Sequence, residues 1–168
     1  MANGYRSPYR ADFANVFEAI ALDDLDGVRF FLRSVCDVNG ADRSHFTPLM
    51  YAALLGRTSV ALTLLLKGAE VNKQFFGHGM TALICAVIKQ NLEMVSLLAD
   101  AGADLNLRDV HGRSALLLAI EHGSKPMVRL LGRLGVTIHR DALRAAFQAP
   151  TLFQCCCSCT VSYTHLTL

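Results

Sequence analysis

Thr47–Lys73, TPLMYAALLGRTSVALTLLLKGAEVNK, reads as a short helix, a turn, a second helix and a glycine-led exit. Thr47 supplies a side-chain oxygen for an N-cap, and Pro48 takes the first helical position, where its missing N–H has no intrahelical partner to lose. Leu49, Met50, Ala52 and Ala53 give the first helix an apolar face. Gly56 ends it in a conformation glycine adopts without strain, and Thr58 or Ser59 opens the second helix. Val60–Leu66 is a second apolar run, closed by Gly68. Helices this short are marginal alone in water, so the unit needs neighbours to pack against.

The neighbours are copies of the same unit. The helix-opening position recurs at Ala14, Thr47, Thr81 and Ser114, spaced 33, 34 and 33 residues apart. The exit glycine recurs at Gly68, Gly102 and Gly135, spaced 34 and 33. TALICAVIKQNLEMVSLLADAGADLN at Thr81–Asn106 and SALLLAIEHGSKPMVRLLGRLGVTI at Ser114–Ile138 repeat the apolar pattern. A period near 33 with T-P-L-x-x-A and then G-x-x-x-V-x-x-L-L-x-x-G-A-x-V-N resembles the ankyrin repeat. The resemblance covers about four repeats over Phe13–Ile138. It implies an all-α solenoid of helix–turn–helix units joined by hairpin-like finger loops. The expected organisation is a lead-in over 1–11, repeats over 12–139 (12–40, 41–73, 74–107 and 108–139), a partial fifth repeat or capping helix over 140–154, and a Cys-rich tail over 155–168.

Composition fits such an array. Hydrophobic residues make up 52 % of the chain, and the mean hydropathy is +0.34. The most apolar window, Leu49–Leu66, carries Arg57 with Gly56, Thr58 and Ser59, which a bilayer span tolerates badly. Membrane insertion is therefore not expected, and buried faces between repeats account for the apolarity. A formal net charge of +2, with no Lys/Arg run, argues against nucleic acid. The N-terminus MANGYRSPYRADF lacks the apolar core of a secretory signal, which points to a cytoplasmic, or nuclear, protein. Cys36 and Cys85 are isolated and read as reduced thiols.

Several features fit simpler roles than chemistry. Phe17, Ala19 and Ile20, then Val28, Phe31 and Leu32, form the buried faces of a degenerate first repeat. Asp23, Asp24 and Asp26 miss the spacing of a calcium loop and suit a helix start. The fingers are Ala41–Phe46, Lys73–Met80 and Arg108–Arg113; the first has His45 where the others have Gly79 and Gly112. The His of the family's T-P-L-H tetrad is replaced by Met50, Ile84 and Leu117, so apolar packing stands in for a polar link. Gln90 takes an inter-helix glycine position, and Pro126 falls early in a helix, where proline is tolerated. In the tail, Cys155, Cys156, Cys157 and Cys159 offer at most half a zinc site. Val161–Leu168, VSYTHLTL, resembles translated sequencing-adapter sequence, which would make the chain a fragment of a longer product.

No phosphate loop, nucleophile elbow or H-E-x-x-H motif is present, so neither enzyme activity, nor a cofactor, nor a bound metal is expected. The ankyrin resemblance implies a monomeric interaction module that binds a partner protein through a concave strip of first helices and the finger tips. By motif position the strip comprises Glu18, Ala21, Leu22, Tyr51, Leu54, Leu55, Cys85, Ile88, Lys89, Leu118, Glu121 and His122. The expected contact residues are Tyr51, Leu54, Leu55, Ile88, Lys89, Glu121 and His122, with Phe75, Phe76, His78 and His111 on the fingers. The alternative is a regulatory ankyrin segment of a larger enzyme or ion channel.

Overall fold

A computed structural model describes residues 16–34, 37–75 and 77–148. The lead-in, Ala14, Cys36, Phe76 and the whole tail from 149 onward lie outside the described residues. Among the described residues nine helices follow in order: α1 Val16–Ala21, α2 Leu25–Ser34, α3 Pro48–Leu55, α4 Thr58–Leu66, α5 Ala82–Ile88, α6 Leu92–Asp100, α7 Ala115–Glu121, α8 Lys125–Arg133 and α9 Arg140–Gln148. Among the described residues the only β pairing is an isolated bridge between Arg108 and Ser114. The expected all-α repeat fold is what forms.

Each unit is a helix pair capped by its own sequence. The Thr47 hydroxyl accepts from Met50 N–H at 3.2 Å, Thr81 from Ile84 N–H at 3.2 Å, and Ser114 from Leu117 N–H at 3.3 Å. These bonds satisfy N–H groups that a helix start otherwise leaves without partners. Between paired helices the chain turns through a left-handed residue: Gly56 at φ 70° and Gly123 at φ 69°, but also Asp23 at φ 60° and Gln90 at φ 58°. A side chain there costs on the order of 1 kcal/mol, so the fold imposes this turn on non-glycine residues too. α4 departs from expectation: its N-cap is Arg57, which makes no side-chain cap bond. Its guanidinium reaches back to the previous unit instead, donating to Ala21 C=O at 3.1 Å and Asp23 Oδ2 at 3.3 Å.

The units stack into two layers. α1, α3, α5, α7 and α9 pack in succession to form one layer, and α2, α4, α6 and α8 form the other. α9 sits on α7 as α7 sits on α5, and Leu143 N–H donates to His139 C=O just as Tyr51 N–H donates to Thr47 C=O. It extends the first-helix layer by one helix. The core between layers is apolar, with Leu64, Leu98 and Leu131 fully buried at equivalent places in α4, α6 and α8. Met50 and Ile84 are buried where the family histidine would be. In the first unit Val16, Ala19, Ile20 and Val28 are buried, while Phe17, Phe31 and Leu32 are only partly so.

A polar link between units does exist, at a different place. Asn39 Oδ1 accepts from Glu70 N–H at 2.7 Å, Asn72 Oδ1 from Asp104 N–H at 2.7 Å, and Asn106 Oδ1 from Thr137 N–H at 2.9 Å. Each asparagine thus ties the end of one unit to the loop of the next. The recurrence of Asn39, Asn72 and Asn106 at 33 and 34 residues is the signal that sequence reading left unused.

Candidate functional site

The fingers and the exposed side of the first-helix layer form the candidate site, and the structure sorts their residues sharply. Fingers one and three share one construction. Asp42 Oδ1 accepts from Ser44 and Phe46 N–H at 2.9 and 2.8 Å, and Asp109 Oδ1 accepts from His111 and Arg113 N–H, both at 2.9 Å. His45 adopts φ 61°, the conformation that Gly79 and Gly112 supply in the other fingers. Asp109 also pairs with the Arg113 guanidinium at 2.8 Å. Burial alone would raise its carboxyl pKa. The Arg113 and His111 donors together outweigh that and hold it below the usual carboxylate value.

A group whose folded pKa is depressed stabilises the fold above its unfolded value, about 3.9 for Asp, and loses that contribution as pH falls through the folded pKa. Asp109→Asn, which keeps an oxygen for the two amides, should therefore melt with a shallower loss of stability below about pH 4. Thermal melts of both proteins between neutral pH and strong acid check this.

Finger two is built differently. Phe75 N–H donates to Met80 C=O at 2.7 Å, as Asp42 does to Phe46 and Asp109 to Arg113. Phe75 therefore stands where the other fingers place aspartate. Its ring turns inward, 9 % exposed, stacked on Phe46 with centroids 4.9 Å apart and on His78 at 5.0 Å. His45 meets it edge-on at 6.3 Å. Phe75 is thus a packing residue rather than a contact residue, because an aromatic ring gains more by stacking between two fingers than by standing in water. Gly79 allows the next finger to approach: a Cβ there would lie 3.1 Å from Val110 N and 3.2 Å from Asp109 Cα. His78 C=O accepts from Val110 N–H at 3.1 Å. His78 and His111 remain exposed at the tips; Phe76 lies outside the described residues.

On the helix layer two members of the expected strip are interior. Cys85 and Leu118 are buried, each on a helix packed between two neighbours of the same layer. Burial pushes the Cys85 thiol up to about 12, so it stays protonated and unreactive. Two rows remain accessible. Leu22, Leu55, Lys89 and His122 form the outer row, exposed throughout, with Leu22 at 66 % and Leu55 at 41 %. Behind it lie Leu54 and Ile88, half-buried, and Glu121, exposed. Tyr51 is half-buried and packs edge-to-face on Phe17, centroids 5.7 Å apart at 83°. The outer row turns from apolar beside α1 and α3 to charged or polar beside α5 and α7, and the inner row stays apolar through Ile88 and turns charged at Glu121.

Residues 73–141 match the family description "Ankyrin repeats (3 copies)", and residues 44–74 match "Ankyrin repeat". The chain belongs to the ankyrin repeat family. Among ankyrin proteins it is similar to the rat "Ankyrin repeat and SAM domain-containing protein 6", 36 % identical over 106 residues, covering 62 % of this chain and 12 % of that protein. It is 31 % identical over 120 residues to the "Putative ankyrin repeat-containing protein" of Treponema pallidum, covering 71 % of this chain and 40 % of that protein. With the "E3 ubiquitin-protein ligase KEG" of Arabidopsis thaliana it shares 40 % identity over 76 residues, 45 % of this chain and 5 % of the ligase. The chain thus spans well under half the length of these relatives. The ankyrin fold identifies the chain as a protein–protein interaction domain.

The apolar window Leu49–Leu66 is split by Gly56 and Arg57 into the short helices α3 and α4. No helix among the described residues is long and apolar enough to cross a membrane.

Proposed function

We propose that this chain is a non-catalytic scaffold that captures a partner protein on the exposed face of α1, α3, α5 and α7. The observation that carries this is the graded surface: Leu22 and Leu55 exposed at one end, backed by Tyr51, Leu54 and Ile88, then Lys89, Glu121 and His122 towards the other. An apolar centre bordered by polar groups is the composition of an interface core. The helices that present it are braced by caps and asparagine links, so binding orders little that is not already ordered. The partner segment that fits has an apolar anchor for Leu22 and Leu55 and polar or charged groups opposite Lys89, Glu121 and His122. His78 and His111 extend the same surface onto the finger tips.

Selection of binding peptides from a random display library tests this. Peptides selected on the parent chain should lose about tenfold or more in affinity for Leu55→Glu, since hot-spot contacts cluster at the centre of an interface. The melting temperature should stay close to the parent's, because Leu55 is largely in solvent. Peptides that bind Leu55→Glu as well as the parent would place the site elsewhere.

A second reading, supported by the small share of each relative that the chain covers, makes it the regulatory ankyrin segment of a longer protein. The same face would then hold another domain of that protein. Transcript sequence across the codon for Gln154 separates the two: an open frame continuing into a catalytic domain or apolar spans of about 20 residues favours this reading.

A further inference from the structure

The second-helix layer carries an anomaly. α2, α6 and α8 present Arg29 and Arg33, Ser96 and Asp100, and Arg129 and Arg133 at two outward places one turn apart. α4 presents Leu62, 47 % exposed, and Leu66, 78 % exposed, at those same places. Its sequence, TSVALTLLL, contains no charge. Large apolar side chains exposed together where neighbouring helices are polar mark a face that another surface covers. Within the described chain nothing covers these two leucines.

We propose that the outer face of α4 pairs with the same face of a second copy of this chain, in a two-fold dimer whose α4 helices run parallel. Charge selects this occupant and this arrangement. α2 flanks α4 on one side and α6 flanks it on the other. A two-fold axis along α4 sets Leu62 and Leu66 against their own copies and lays the α2 of one chain over the α6 of the other. Arg33 and Asp100 occupy equivalent places in α2 and α6, so each dimer gains two Arg33–Asp100 pairs, with Arg29 over Ser96. Turning α4 antiparallel would instead set α6 against α6 and α2 against α2, with Arg29 facing Arg33. The layer is exposed on the side away from the first helices, so pairing leaves the proposed partner face open. This replaces the expectation of a monomer and stands whether or not that partner face is correct.

Sedimentation velocity of the whole chain, from about 1 µM to about 1 mM where a small interface of this kind is populated, tests the proposal. The sedimentation coefficient should rise with concentration, and Leu66→Glu should abolish the rise with an unchanged circular dichroism melt. Arg33→Asp should weaken pairing about tenfold or more by setting like charges together twice. Arg33→Asp with Asp100→Arg should restore it. A chain that stays monomeric at every concentration overturns the proposal, as does a dimer indifferent to Leu66→Glu. Failure of the double exchange to rescue overturns the parallel arrangement.

Discussion

Phe75→Ala is expected to destabilise the protein by about 3–5 kcal/mol, the usual range for removing a buried phenylalanine. The ring lies between Phe46 and His78 with His45 at its edge, so its loss unpacks two fingers together. Finger two has no aspartate to organise its amides as Asp42 and Asp109 do, so the ring carries more of its packing, beside the Gln74 bonds to Gly79 and Arg108 C=O. Urea unfolding reads the change as a lower midpoint at nearly constant slope. A variant that unfolds at the parent midpoint would return Phe75 to the surface and to the list of partner contacts.

Leu98→Ala is expected to cost about 2–5 kcal/mol, with the spread set by how far the surroundings collapse into the cavity. Leu98 is fully buried in α6, which packs against α4, α5 and α8. Neighbours on three sides restrict that collapse, which favours the upper half of the range. Leu98→Met, which nearly conserves volume, should cost under about 1.5 kcal/mol. If both variants melt alike, the position is less tightly packed than its burial implies.

Much of this architecture was legible because it is written in local chemistry. Thr47, Thr81 and Ser114 announce helix starts by what their hydroxyls accept, and Gly56 announces a left-handed turn. What sequence reading mistook was decided by contacts between units. Phe75 sits in a loop, and loops normally face water; only the stack with Phe46, one unit away, draws it inside. Motif position puts Cys85 and Leu118 on the accessible strip, but α5 and α7 each have a neighbouring helix on both sides, and these two residues are buried. The outward places Leu62 and Leu66 do not stand out in the run Val60–Leu66, because a run so largely apolar has no readable phase. The linking asparagines are visible as a repeat, but their donors lie on the following unit, which no local pattern names.

Those asparagines also set how far a disturbance travels. Every rung joins one unit to the next and to nothing beyond, as in a one-dimensional chain with nearest-neighbour coupling. Loosening at one end is felt strongly by the adjoining unit and fades over those that follow. A substitution at the α1–α3 end is therefore expected to leave α7, α8 and α9 in their own arrangement.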